Sequence, residues 1–325
     1  YLPSQNKYFK SSTEEIWIKD GIIYTYKPDA SKPTDELCIL TLNLHTYQES
    51  DAQVKLDKIA DVIARLKPDF VCFQECAQHK VADVTTDERA PFQDGIDKIK
   101  VGNSEKQTNM VYLISKRLKE THSLVYNYYW SWAHYGWDVW EEGVAVLTPY
   151  EIKECDNRYI STQKTTGSID SRKALFVKVD VPNIGIVNIF SVHTSWGSPQ
   201  QGQYDKLREF MQDKSDPKVV ASIVAGDFNG KPSEYGYKRI TSNIGGDRLM
   251  DAYYIANNSG LDDTTMLGGK HNGISRIDFV FYNYKDRIVP KTGQVYFMHL
   301  DNSSNYLGEE VSDHNGVIVR LKVLK

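Results

Sequence analysis

An α+β domain of two stacked sheets with helices outside is the fold class this sequence predicts. Three observations carry it. Short apolar strand-like runs far outnumber helical patterns, most of the strongest runs end in a polar or charged residue, and no repeat or low-complexity linker divides the 325 residues. That length is long for one domain, but a two-sheet fold with insertions reaches it.

The elements follow in chain order. Residues 1–36 form a polar extension with one expected hairpin, Ile16-Trp17-Ile18 and Ile22–Tyr26 flanking Lys19-Asp20-Gly21. Residues 37–325 are expected to form the main domain, opening on the strand Leu37–Asn43. Val54, Leu56, Ile59, Ala60, Ile63 and Leu66 recur at helical spacing, and the helix ends before Pro68 because the residue preceding proline disfavours helix. Phe70–Glu75 is a buried strand. Residues 77–108 are polar and irregular, with room for one helix, and Met110–Ile114 reads as a short strand.

Residues 126–142 are crowded with aromatics: Tyr126, Tyr128, Tyr129, Trp130, Trp132, Tyr135, Trp137 and Trp140. Such a cluster fits sugar stacking, membrane-interface insertion or base stacking, or simply the packing of a long loop. Further strands are expected at Gly143–Leu147, Ala174–Val179, Ile184–Val192, Val219–Ala225, Ile274–Tyr282 and Gly316–Val323, and a helix at Gly202–Met211.

Composition narrows the functional classes. The net charge is −4, and the nearest thing to a basic run, Lys116-Arg117-Leu118-Lys119, reads as a solvated helix face, which weighs against a duplex nucleic-acid substrate. Cys38, Cys72 and Cys76 lie in or beside apolar runs, where cysteine acts as a small hydrophobe. With Cys155 they form no CxxC pair, so neither zinc nor an oxidising compartment is called for. No apolar run has the length of a membrane span. A cytoplasmic location is the default expectation, and a secreted form that has lost its leader is compatible with the same residues.

The most informative stretch is Ile223-Val224-Ala225-Gly226-Asp227-Phe228-Asn229. A carboxylate behind an apolar strand needs a compensating partner. Asn43, Glu75, Asp278 and Asp313 occupy similar positions, and His193 and His314 complete a polar set that a sheet scaffold gathers at one edge. Taken singly, each has a plain structural use: Asn43 in a turn, Asp227 as a cap, His193 in a satisfied core, Arg172 in a surface ion pair. Together they suit phosphoester hydrolysis, which needs a cation on the phosphoryl oxygens, an activated water and a proton for the leaving oxygen. Mg²⁺, or Mn²⁺, prefers carboxylate and amide oxygens, which makes Glu75 the first ligand candidate, with Asn43 beside it. Asp313 is expected to approach the metal from the opposite side. Arg172 is a candidate bidentate phosphate clamp.

The order Leu42-Asn43, Gln74-Glu75, Ser191-Val192-His193-Thr194, Gly226-Asp227-Phe228-Asn229, Arg276-Ile277-Asp278-Phe279-Val280-Phe281 and Ser312-Asp313-His314 resembles the endonuclease/exonuclease/phosphatase superfamily, from about residue 37 to the C-terminus. The resemblance implies a four-layer α/β/β/α sandwich with two mainly antiparallel sheets, and the same metal assignment for Glu75 and Asn43. It also implies a His314–Asp278 pair at the scissile phosphate. On this basis Asp227 orients or deprotonates the water, Asn229 donates to a phosphoryl oxygen, and His193 donates to a non-bridging oxygen or the leaving group.

The segments 41–49, 141–147 and 193–197 look like the sugar-phosphate branch, whose best-known member type hydrolyses maltose 6'-phosphate. Leu44 and Tyr47 depart from its pattern. In that branch Glu142 and Trp196 stand near the pocket, and His45, two residues past Asn43, is a further lining candidate. The expected activity is metal-dependent hydrolysis of a small phosphorylated molecule, foremost a sugar phosphate. The alternatives are a phosphodiesterase of the same fold, acting on nucleic acid or phospholipid, and an inactive binding module.

Overall fold

Apolar runs with few polar interruptions become the central strands of two six-stranded sheets, because a strand covered on both faces has no solvent side to keep polar. The computed structural model describes residues 7–10, 15–19, 22–26, 33–242, 248–258, 265, 276–296, 298–300, 305–307 and 311–324; for residues 7–26, 201, 298–300 and 305–307 it describes the backbone alone. Asp20, Gly21 and Ile274, named in the expected hairpin and strand, lie outside the described residues.

In chain order the elements are β1 (Lys7–Lys10), β2 (Glu15–Lys19), β3 (Ile22–Tyr26), β4 (Glu36–Asn43), α1 (Ala52–Leu66), β5 (Phe70–His79), β6 (Asp83–Val84), β7 (Lys100–Val101) and α2 (Met110–His122). There follow β8 (Asn127–Gly136), β9 (Trp140–Thr148), β10 (Ile152–Tyr159), β11 (Lys173–Val181), β12 (Gly185–His193), α3 (Gln200–Asp213) and β13 (Val219–Asp227). The chain closes with α4 (Tyr235–Thr241), β14 (Leu249–Asp251), α5 (Ala252–Asn257), β15 (Asp278–Asn283), β16 (Ile288–Tyr296), β17 (Met298–Leu300), β18 (Asn305–Leu307) and β19 (Gly316–Val323).

The first sheet runs β16-β19-β4-β5-β9-β8 and the second β10-β11-β12-β13-β15-β14. Each is antiparallel except for one parallel pair, β4–β5 in the first and β12–β13 in the second. A parallel pair needs a crossover, and α1 and α3 supply it. Leu37, Ile39, Phe70 and Val146 of one sheet meet Val177, Ile189, Ile223 and Val280 of the other in the central core. The outer face of the first sheet packs on Leu56, Ile59 and Ile63 of α1 and on Ile114 and Leu118 of α2. The outer face of the second packs on Tyr204, Leu207 and Phe210 of α3. This is the predicted α/β/β/α layering. At the N-terminus β1, β2 and β3 pair antiparallel as a small separate sheet, with Lys19 opposite Ile22 as the expected hairpin requires.

Several expectations change. Met110–Ile114 is the first turn of α2 rather than a strand: Asn109 caps it, accepting from the Tyr112 N–H at 3.2 Å, and Leu118 continues the buried face into the next turns. Val54 faces solvent, so the buried stripe of α1 begins at Ala52 and Leu56. Residues 126–142 form strand β8 and the start of β9, with Tyr128 and Trp130 buried under the helices and Tyr129 between the sheets. The strands β10, β14 and β16 and the helices α4 and α5 add to the predicted elements. β10 and β16 are edge strands, one polar and half-exposed, the other bulged beside Pro290; both positions suppress the alternation by which a strand is read from sequence.

Candidate active site

Chain direction explains why scattered residues meet. β4, β12 and β13 end at one edge of the sandwich, and their antiparallel partners β19 and β15 begin there. Asn43, His193 and Asp227 therefore come from strand ends, Asp278 from a strand start, and His314 from the residues leading into β19. Asn43 Nδ2 donates to Asp227 Oδ2 at 3.0 Å, tying the two sheets together across the site. Gly226 makes the junction possible. A Cβ there would lie 2.0 Å from the Val192 carbonyl oxygen of the neighbouring strand, so no side chain fits before Asp227. Glu75 departs from the strand-end expectation. It lies inside β5, in a bulge between Phe73 and Cys76 and at φ +46°, and the bulge re-aims its side chain.

Asp227 and Asp278 are direct cross-strand neighbours, a placement that repels unless a positive group intervenes. His314 is that group: its Nδ1 lies 3.0 Å from Asp278 Oδ2 and its Nε2 3.8 Å from Asp227 Oδ2. Burial disfavours the charged ring, yet Asp278 and Asp227 hold His314 well above the ordinary histidine range, as an imidazolium. Burial pushes Asp227 up to about 7; His314 pulls it back and Asp278 adds to the rise. Asp227 Oδ1 accepts the Asn229 N–H at 2.7 Å.

His193 stands beside Asn229. Asn229 Nδ2 donates to the Thr194 carbonyl at 2.9 Å, which orients the amide, and its amino group also faces His193 Nε2 at 3.1 Å. Nε2 is thus an acceptor. Burial, followed by the Arg172 charge, holds His193 well below its ordinary value, so the ring is neutral and Nε2 has no proton to give a leaving group. Asn229, expected to hold a phosphoryl oxygen, directs its amino group at His193 and Thr194 instead.

The donor set fits a hard divalent cation. Burial, with Glu142 next, pushes Glu75 up to about 8, while the Asn43 amide N–H at 2.9 Å pulls the other way. Ligand atoms of Glu75, His193 and Asp227 lie within 4.8 Å of one another. The carboxyl oxygens of Glu75 and Asp227, ionised when a cation is bound, form a hard donor pair whose charge a Mg²⁺-like ion would compensate. Asn43 turns its amino group to the carboxylates and its oxygen to the His45 N–H at 2.9 Å. Asp313 stands one step aside, clustered with His45 and Glu49 and 3.5 Å from His45 Nδ1.

Beside the edge opens a cavity of about 570 Å³ that reaches Glu75 and His193. Arg172, Glu142 and Trp196 line it. His45 is not among its described lining residues; Glu49 takes its Nδ1 at 2.7 Å. Arg172 is buried, its Nη1 tied to the carbonyls of Ile169 (2.5 Å) and Ser171 (3.2 Å), and its Nε has no hydrogen-bond partner. Of its further lining residues, Trp137 belongs to the aromatic cluster of the sequence, whereas His134 is assigned no role there. His134 Nε2 lies 3.0 Å from Glu142 Oε1, and Trp137 tops the β8–β9 turn. His134 carried no signal in the sequence, because its cross-strand pairing with Glu142 exists only in a hairpin.

A family model described as the Endonuclease/Exonuclease/phosphatase family matches residues 40–314. No curated protein matches the chain. Among solved structures, an endonuclease/exonuclease/phosphatase family protein from Leptotrichia buccalis is similar with a TM-score of 0.70 at 23% identity, over 88% of this chain and 99% of that one. A mannosyl-6-phosphatase of Bacteroides thetaiotaomicron has a TM-score of 0.60 at 18% identity, over 88% and 99%. D. rerio TDP2, complexed with a single-strand DNA product, has a TM-score of 0.59 at 14% identity, over 88% and 98%. With that sandwich, its converging strand termini and a family match spanning most of its length, this chain belongs to the endonuclease/exonuclease/phosphatase family.

Proposed function

We propose that this protein is a divalent-cation-dependent phosphomonoesterase acting on a sugar phosphate. The carrying observation is the cavity beside the catalytic edge: Arg172 is its one described cationic side chain apart from histidine, set among Glu75, Asp138 and Glu142. A nucleic-acid strand is held along a run of cations. A single phosphate on a neutral body asks for one guanidinium and one metal.

Glu75 would hold the cation, joined by Asn43 where its amide turns to present the oxygen that accepts the His45 N–H, with Asp313 at the margin. A bound Mg²⁺ supplies Lewis-acid withdrawal of charge from the phosphoryl oxygens. Asp227, whose carboxyl is pushed up to about 7, takes the proton of the attacking water in its ionised form. The His314 imidazolium, held by Asp278, stabilises charge on the phosphoryl group and is the one histidine of the edge with a proton to give. Neutral His193, fixed by Asn229, helps orient the water, and Arg172 holds a phosphoryl oxygen.

Glu75, Asp227, Asp278 and His314 are all present and convergent, which speaks against an inactive binding module. The phosphodiesterase reading uses the same edge and differs in what the cavity accepts. The deciding experiment compares phosphate release from glucose 6-phosphate with cleavage of bis(p-nitrophenyl) phosphate and of a single-stranded oligonucleotide, each with Mg²⁺ and with EDTA. Metal-dependent phosphate release from the monoester supports the proposal; turnover of the diesters alone overturns it.

A further inference from the structure

Trp137 and Trp196 line the cavity from different sheets: Trp137 at the tip of the β8–β9 hairpin, Trp196 on the loop between β12 and α3. They are 56% and 65% exposed, although burial of an indole is favourable and the other described tryptophans are largely covered. Trp137 and Asp138 have φ of +47° and +56°, the central positions of a tight turn closed by the Val139 N–H on the Gly136 carbonyl at 3.2 Å. Asn-Gly takes that conformation with least strain. A bulky exposed side chain held there adds nothing to folding, and such positions mark contact with a ligand.

The same cavity is lined by polar groups. Glu142 is held by His134 at 3.0 Å and by the Thr46 hydroxyl at 2.8 Å, and a Cβ at Gly136 would lie 2.6 Å from its Oε2. The Arg172 guanidinium lies 5.9 Å from the centre of the Trp196 ring. Aromatic rings and hydrogen-bonding groups in one cavity match a ring with apolar C–H faces and a hydroxylated edge.

We propose that Trp137 and Trp196 form a stacking clamp for the pyranose ring of the leaving group, with Glu142, oriented by His134, accepting from its hydroxyls. The clamp deepens the monoesterase reading and rests on it for the phosphate end of the ligand. It makes these tryptophans specificity determinants: they recognise the ring and leave the phosphoryl chemistry untouched.

The test has two arms on the full chain. In the first, kcat and KM with Mg²⁺ are measured for glucose 6-phosphate and for acyclic glycerol 1-phosphate. Trp137→Ala and Trp196→Ala are each expected to raise KM for the hexose phosphate about tenfold, with kcat within twofold, while glycerol phosphate is unaffected and Trp→Phe restores most of the loss. Equal losses on both esters, or no loss on the hexose, overturn the clamp. In the second, glucose 6-phosphate binding is measured by calorimetry in EDTA. Wild-type binding that weakens about tenfold in either alanine variant supports the clamp, and binding that is absent or unchanged overturns it. Sound binding in a protein that turns over only diesters would leave the clamp standing and remove the monoesterase reading.

Discussion

Asn43, His193, Asp227, Asp278 and His314 are at most 6% exposed and come from strand termini or the residues beside them, whereas Trp137 and Trp196 are more than half exposed and ride on a turn and a loop. The first group cannot move without moving a sheet. The second can change without disturbing a core. Catalytic geometry tolerates little displacement, and recognition of a leaving group tolerates more. The fold is shared with structures named as a mannosyl-6-phosphatase and as TDP2 with a DNA product.

That contrast breaks most decisively at His314. His314→Ala removes the charge between two carboxylates and the available proton, so kcat should fall by roughly 10³–10⁴ with KM for glucose 6-phosphate little changed. A loss confined to KM would place His314 with the rim. Glu75→Gln should lower metal-dependent turnover by about 10²–10³ and weaken Mg²⁺ binding in calorimetry while the melting profile keeps a single cooperative transition. Undiminished Mg²⁺ affinity would remove Glu75 from the metal.

Two glycines sharpen the comparison in stability. Gly226→Ala drives a methyl into a backbone carbonyl and should cost about 3 kcal/mol by denaturant titration. Gly136→Ala meets only the end of the Glu142 side chain, which can give way; a cost below about 1 kcal/mol with a raised KM is expected. Equal costs would mean that the rim is as rigid as the edge.

A carboxyl remote from both regions gives the control. Asp286 accepts the Ser222 N–H at 2.6 Å, and burial pushes it up to about 7 from an ordinary 3.8. Between those values the folded chain binds the extra proton, so stability falls as pH rises from about 4 to 7. The expected size is on the order of 2 kcal/mol, after allowing for partial solvation. Asp286→Asn should flatten that slope in urea titrations across the range; an unchanged slope would assign it to other groups.

Much of the edge was legible beforehand. Asp227, His193 and Asn43 each follow an apolar run, and a strand that must be buried announces the polar group at its end. The rim was legible only in part: Trp137 and Trp196 stood out as aromatics, but the β8–β9 hairpin did not, because the alternation over residues 126–142 is broken by the bulge between Trp132 and His134. Met110–Ile114 failed for a related reason: five residues cannot separate a strand from the first turn of a helix, and the decisive Leu118 lies beyond them.

Residue chemistry and the order of the six motifs pointed to the family, which the match over residues 40–314 bears out. Only tertiary structure decided which of the site residues carry protons. His193 and His314 are the same side chain in similar sequence settings, but one is buried against a guanidinium and an amide donor and the other lies between two carboxylates. Their different protonation states arise from neighbours drawn from distant parts of the chain, and a linear sequence does not display that field.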